Sequence, residues 1–310
     1  FGLDYATPGG QADAQPVSIE AIDQMQISLA PFNVTEGGFT GAGINAVTKS
    51  GTNELKFMLY EYFRNESFIG TKVGDADAPN YDYLNNRFGV NIGGPIIKNK
   101  VFFFVNFEGV RQDRLAHGFI ADDGVATGDN VTSVPEADII AVQQHLLNEW
   151  GYDPGAYQGY NHQKKNDKLL VKIDWNAGKN TNVRLRYNYL NAFNDILPHP
   201  EAIIGRGPTS FRLPFENSSY NINNKIHSIV GEVNTLFSNK ISNNVLIGFT
   251  AFRDRREPFS EPFPVVDVFI DGNLAITAGS EMFSTHNRLY QDVYQFTDNL
   301  NIYMNKHTFT

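Results

Sequence analysis

The spacing between alternating segments constrains this chain more than any single motif. Segments in which apolar and polar residues alternate are joined in pairs by a few residues, around Lys98-Asn99-Lys100, 178–182, 239–243 and 304–306. Between the pairs lie long, polar, Pro/Gly-rich inserts at about 66–84, 112–167, 194–224 and 257–288. Tight turns at one rim and long loops at the other are the pattern of a transmembrane β-barrel. A soluble domain rarely repeats structureless inserts of that length. This spacing predicts an all-β fold with the short side in the periplasm and the long side outside the cell.

The alternation assigns faces. Over 55–65, Leu55, Phe57, Leu59 and Phe63 fall on one face and Lys56, Met58, Tyr60, Tyr62 and Arg64 on the other. Eleven residues tilted near 40° climb about 28 Å, close to the apolar band of an outer membrane. In the following strands Phe88, Val90 and Ile92 oppose Arg87, Gly89 and Asn91, and Gly93-Gly94-Pro95 suits a bend near the rim. Val101, Phe103, Val105 and Phe107 are expected to face lipid, with Phe102, Phe104, Asn106 and Glu108 inside. Leu169, Val171, Ile173 and Trp175 oppose Lys172 and Asp174, and Val183, Leu185, Tyr187 and Tyr189 oppose Arg184, Arg186 and Asn188. Trp175, Phe237 and Tyr303 lie beside short turns, where an interfacial aromatic belt belongs. A soluble β-sandwich would show the same alternation with solvent in place of the lumen.

Composition narrows the classes. No apolar run approaches the roughly 18 residues of a spanning helix, so membrane residence requires a barrel. The net charge of −9 disfavours a nucleic-acid partner, whose phosphates call for clustered Lys and Arg. Cysteine is absent, and the seven histidines are scattered without an HExxH pair or a GxSxG elbow, so no catalytic site, metal site or cofactor is expected. Asp75, Asp77 and Asp82, and Asp122, Asp123 and Asp129, do not fit an EF-hand and read as solvated loop acids. The chain starts at Phe1 and stops inside an alternating run, so it reads as an internal portion of a longer protein.

The first fifty residues differ. Residues 18–23 look like a capped helical turn running into a short strand at 25–29, and five glycines between 37 and 51 imply tight turns. Neither a dinucleotide fingerprint nor GxxxxGK[ST] is present. The run from Gly37 to Asn53, the strand carrying Tyr62-Phe63-Arg64-Asn65, and the segment from Gly93-Gly94-Pro95 to Gly109-Val110-Arg111 resemble TonB-dependent outer-membrane receptors. Gln295-Phe296-Thr297-Asp298-Asn299-Leu300 and Lys306-His307-Thr308 extend the likeness, which is strongest to the Oar-like, carboxypeptidase-regulatory-like branch.

That resemblance implies residues 1–54 as the C-terminal part of an N-terminal plug, and 55–310 as about nine strands of a barrel of about 22. It further implies residence in the Gram-negative outer membrane, in contact with its lipid, and import of a bulky nutrient driven by a TonB-type energy-coupling protein. The coupling box and the first part of the plug are not in this stretch. By position in the family, Asn33, Thr35 and Glu36 are candidates for the ligand-facing plug apex, although as turn formers they need no ligand. Arg64, Arg87, Arg184 and Arg186 are candidate lumen-lining residues, and interior charges of this kind also pair with a plug. The alternative function is a plugged-barrel surface scaffold, or a subunit of an outer-membrane secretion or lipoprotein complex. In the second insert, Ile139, Val142, Leu146 and Trp150 recur at helical spacing over 135–150, with Gly151 as a stop.

Overall fold

The computed structural model describes residues 12–29, 42–74, 76–77, 81–201, 204–304 and 306–310. A 3-10 turn, Ile19–Ala21, is capped by Ser18, whose Oγ accepts from the Glu20 amide. It leads into a hairpin of β1 (Ile22–Leu29) and β2 (Ala42–Thr48). The chain then enters β3 (Lys56–Asn65), passes the short pair β4 (Lys72–Val73) and β5 (Ala76–Asp77), and continues through β6 (Tyr83–Ile97) and β7 (Val101–Leu115). The second insert holds β8 (Ile120–Asp122), β9 (Val131–Pro135) and helix α1 (Glu136–Trp150). Next come β10 (Asn161–Asn176), β11 (Thr181–Ile196), β12 (Leu213–Pro214), β13 (Tyr220–Ser238) and β14 (Ile241–Pro258). The chain closes with β15 (Val266–Ile270), β16 (Asn273–Ala278), β17 (Arg288–Met304) and β18 (His307–Phe309).

Nine strands form one antiparallel meander in the order β18-β17-β14-β13-β11-β10-β7-β6-β3. Register alternation fixes two faces. The inner face carries Tyr60, Asn91, Asn106, Glu108, Lys168, Lys172, Arg186 and Ser228, and the outer face carries Phe57, Leu59, Phe103, Val171, Leu185, Ile229 and Phe296. Faces assigned from the sequence alternation agree with the register. Ladder irregularities fall at the short-turn rim, between Pro95 and Ile97 and between Leu236 and Ser238. A bulge where Pro cannot donate to the ladder is the expected place for the bend. Asn99 takes a left-handed φ of 61° in the first turn and exchanges hydrogen bonds with Asn53.

The strands are longer than the alternation suggested. β13 has 19 residues, which at the same tilt rise about 48 Å, against an apolar band of about 25 Å. Ladder pairing therefore runs into what the sequence presents as the inserts 66–84, 112–167, 194–224 and 257–288, shortening each to roughly 66–82, 116–160, 197–219 and 259–287. Outside the band the outer face turns polar, as at Arg111, Gln163, Asn223 and Arg255, so pairing persists where the alternating signal has ended.

Beyond the long rim the inserts build a small core of their own. Ala121, Val134, Ile139 and Leu146 from the second insert pack with Leu213 and Phe215 from the third and Ala275, Ile276 and Ala278 from the fourth. Helix α1 ends as expected at Gly151, in the left-handed region at φ 62°. Ile139 and Leu146 are buried, but Trp150, which shares their spacing, is exposed. One turn of helix past Leu146, its side chain lies at the rim of the stripe the core covers.

Candidate functional site

The inner wall is where the structure concentrates buried polar chemistry. Glu108 on β7 and Lys168 on β10 are direct register partners, and their pleat sends both side chains inward. Lys168 Nζ lies 2.7 Å from Glu108 Oε1, with side chains 7% and 2% exposed. Two hydroxyls complete the carboxylate: Ser18 Oγ donates to Oε2 at 2.7 Å and Tyr60 Oη donates to it at 3.0 Å. The carboxylate is thus saturated by one cation and two donors, as a buried charge requires.

Tyr60 reaches this position because its neighbour is glycine. A Cβ on Gly89 would lie 2.3 Å from the Tyr60 ring and 2.7 Å from the Phe107 carbonyl. Gly89 opposes both Tyr60 and Glu108 in register, so the phenol lies flat across the wall. Gly51 solves a second crowding problem: its Cβ would come within 2.2 Å of the Phe103 carbonyl and 2.7 Å of the Gly94 carbonyl, where the chain leaves the hairpin and crosses the wall.

Around this centre the N-terminal segment is tied to five strands. Asn91 Nδ2 donates to the Glu20 carbonyl at 3.0 Å, and Asn106 Nδ2 donates to Asn91 Oδ1 at 2.6 Å. Tyr62 Oη donates to Glu20 Oε1 at 2.7 Å. Lys172 Nζ donates to Ser50 Oγ at 2.7 Å and to the Thr48 carbonyl at 3.2 Å. Higher on the wall, the Ala12 amide donates to Asn224 Oδ1 at 2.8 Å and Asp13 pairs with Lys164. Apolar contact is thin and comes from small residues: Ala21 against Phe104 and Leu170, and Ala12 and Ala14 against Leu190, Ala192, Ile222 and Ile226. Alanine buries little area, so the segment is held mainly by hydrogen bonds, each worth about 1 kcal/mol net.

The four candidate arginines all sit on the inner face but in two places. Arg184 and Arg186 lie toward the short turns, where Arg184 approaches Asp174 and Glu232, each at 3.5 Å, and Arg186 opposes Lys172. Arg87 and Arg64 lie toward the long rim, with Arg64 over the Tyr83 ring at 5.5 Å. Counting along β7 from Phe104, level with Arg186, to Val110, level with Arg87, separates the two pairs by about 20 Å of strand. They do not form one cluster. Asn33, Thr35 and Glu36 lie outside the described residues. Asp122 and Asp123 accept from the turn amides of Gly124, Val125 and Ala126.

Little in the sequence points to the Ser18-Tyr60-Glu108-Lys168 centre. Its members lie up to 150 positions apart, and only the inward assignments of Tyr60 and Glu108 pointed to it. A second grouping was also missed. His117 and His162, 45 positions apart, are both brought against Tyr160 where the second insert joins the wall, at ring separations of 5.3 and 5.6 Å. Burial holds the His117 imidazole below its usual value.

A long-stranded meander with an apolar outer face and a polar, chain-covered inner face defines a transmembrane barrel wall. The family described as "Outer membrane beta barrel domain" matches residues 47–310, and the chain belongs to it. It resides in the outer membrane. Among individual proteins, it is 26% identical over 197 residues to the TonB-dependent transporter Oar of Myxococcus xanthus, covering 60% of this chain and 17% of that protein. It thus spans about a sixth of the curated relative's length. The outer membrane transporter YddB of Escherichia coli shares the fold at a TM-score of 0.59 and 14% identity, over 93% of this chain and 33% of YddB. The ferric preacinetobactin receptor BauA of Acinetobacter baumannii matches at a TM-score of 0.41 and 11% identity, over 85% of this chain and 41% of the receptor. The chain is thus similar in sequence to part of a TonB-dependent transporter and in fold to part of an outer membrane transporter.

Proposed function

We propose that this chain is the plug-bearing wall of a TonB-dependent importer for a bulky nutrient, with residues 1–54 as plug and the long inserts extracellular. The observation that carries this reading is the bond type between segment 12–50 and the wall. Contacts through Ser18, Glu20, Thr48 and Ser50 are hydrogen bonds that water can replace one by one, and the apolar contacts use alanine and the partly buried Val17. An obligate core would resist a pull, whereas such an interface yields stepwise. A TonB-type protein would supply the pull, Asn33, Thr35 and Glu36 would meet the substrate, and Arg64, Arg87, Arg184 and Arg186 would line its path once the plug has shifted.

A folded cap made by three inserts favours a second reading, a surface scaffold or a subunit of a secretion or lipoprotein complex, in which the plug stays fixed. The chain has no cysteine, so the two separate cleanly. With Ala12→Cys and Asn224→Cys in the full-length protein, a disulfide would tie the segment to the wall where its amide now bonds that side chain. In cells whose growth on limiting nutrient requires the protein, oxidation should abolish growth and reduction should restore it. Growth unchanged with the disulfide formed would sink import and favour the scaffold.

A further inference from the structure

Near the long rim the inner face holds guanidinium groups that no acid balances. Arg64 on β3, Arg87 on β6 and Arg114 on β7 all point inward by register, and none makes an ion pair among the described residues. Toward the short turns, by contrast, Arg184 stands 3.5 Å from both Asp174 and Glu232. The acids of the long-rim strands are turned the other way: Glu61 and Asp113 lie on the outer face, where they accept from Asn86 and from Asn161 and Gln163. From the level of Glu108 up to the long rim, the one inward acid on β3, β6, β7 and β10 is Glu108 itself, which Lys168 engages. In the N-terminal segment Asp13 pairs with Lys164, and Glu20 accepts from the Tyr62 phenol. Glu66 and Asp82 stand beyond the ends of β3 and β6, and the pleat that turns Tyr83 inward turns Asp82 away.

The register sets the spacing of the three arginines. Arg64 opposes Asn85, which is two positions from Arg87 along β6, and Arg114 opposes Tyr83, two positions from Asn85 on the other side. Arg87 and Arg114 are thus offset by about 13 Å of strand, with Arg64 at the level between them. The side chains among them are tied together. Asn85 Nδ2 donates to Tyr83 Oη at 3.3 Å and to Gln112 Oε1 at 3.4 Å, and the Arg64 guanidinium lies over the Tyr83 ring at 5.5 Å. Tyr62, the direct partner of Arg87, is exposed. A guanidinium presents a planar fork that takes a carboxylate or phosphate through two bonds. A confined wall of one sign also focuses its field on an incoming anion. A single inorganic ion would engage one fork, whereas forks spread over this length suit a molecule with several anionic groups. The two phenol rings offer flat contact to the framework that joins those groups.

We infer that this patch is a recognition site for a multiply anionic nutrient, whose carboxylates or phosphates are taken by Arg64, Arg87 and Arg114. The inference names a substrate class for the import reading and rests on that reading for the direction of entry. Arg114 joins the site although the sequence alternation had ended before it. Arg184 stays outside it, because Asp174 and Glu232 already meet its charge.

The test is titration calorimetry on the full-length protein in an uncharged detergent, where binding needs no energy coupling. The probes are pentaglutamate and inositol hexakisphosphate, with maltopentaose as the neutral control. At least one anionic probe should bind and maltopentaose should not, and the two anions separate carboxylate from phosphate recognition. Arg64→Gln/Arg87→Gln/Arg114→Gln should weaken that binding by at least about tenfold. Lys165→Gln/Lys225→Gln/Arg288→Gln removes the same charge from exposed positions on the outer face and should leave it unchanged. Failure of both anions to bind the unmutated protein overturns the proposal without relying on any variant, as does maltopentaose binding as tightly as either. Equal weakening by the two triple variants also overturns it, by assigning the effect to net charge. Import is judged separately by the growth assay with Ala12→Cys/Asn224→Cys. Anion binding with growth indifferent to the disulfide sinks import and keeps the site, whereas growth lost on oxidation with neither anion bound keeps import and overturns the site.

Discussion

Arg111 and Arg253 make the same contacts in two different parts of the wall. Each Nη1 donates to the carbonyl of its preceding residue, Val110 or Phe252, at 2.8 Å and to a carbonyl on the neighbouring strand, Asn166 or Gln291, at 3.1 Å. Each Nη2 meets a carboxylate one residue further on, Asp167 or Asp292, at 2.6 Å. Each guanidinium also lies near an aromatic ring, Phe88 or Tyr290, at 5.8 and 5.6 Å. Only a planar, multi-donor cation can satisfy two backbone acceptors and a carboxylate together.

This geometry predicts that Lys is no substitute. Arg253→Lys and Arg253→Ala should both destabilise the wall by about 1 kcal/mol, the small value reflecting the partial exposure of the pair. Urea titration of the protein folded into vesicles would measure it. A lysine variant as stable as the parent would show that the carbonyl contacts contribute nothing.

Gly89 leads to a sharper expectation. Its replacement by alanine places a methyl group inside the Tyr60 ring, and the Phe107 carbonyl blocks retreat on the other side. Gly89→Ala should cost about 1–3 kcal/mol through overpacking and should pull the phenol off Glu108. Adding Tyr60→Ala should recover part of that loss, because the methyl then has room. A double variant no better than the sum of its singles would mean that the crowding lies with the backbone alone.

For the buried ion pair the two single changes and the double change separate packing from charge. Lys168→Met leaves Glu108 inside the wall with two hydroxyl donors and no cation, a loss of about 3–5 kcal/mol. Combining it with Glu108→Gln should restore most of the stability, since a neutral amide can still accept from Ser18 and Tyr60. The readout is the denaturation midpoint of the full-length protein. Equal defects in the single and double variants would assign the loss to packing.

The parts of this architecture visible in the sequence are those governed by period. Over 169–175 and 183–189 one face must be apolar for lipid and the other polar, so the pleat can be read directly, and Gly151 ends α1 by its local conformation. Above the band that rule lapses, and the ladder through Arg111, Lys165 and Asn223 leaves no periodic trace. The centre at Glu108 is legible only in halves, because facing is local while the meeting of Ser18 with β7 is tertiary. The cap core is hidden for the same reason: Ile139, Phe215 and Ile276 come from three inserts that are far apart in the chain and meet only in the folded cap.

His117 contributes to the pH dependence of the region where the second insert meets the wall. Burial lowers its folded-state value below the ordinary 6.5, so the folded protein holds it neutral. Its contribution to stability is therefore complete above about pH 6.5 and is lost as the pH falls toward the folded value, because the unfolded insert takes up the proton first. Protection factors of residues 116–160, taken relative to the intrinsic exchange rate at each pH, should fall between pH 6.5 and 5, while those in the centre of β10 stay constant over the same interval. His117→Phe keeps the aromatic contact with Tyr160 and removes that imidazole's titration, so the acid-dependent loss of protection should diminish. An undiminished acid response in that variant would assign it to another group, of which His162, also packed on Tyr160, is the nearest.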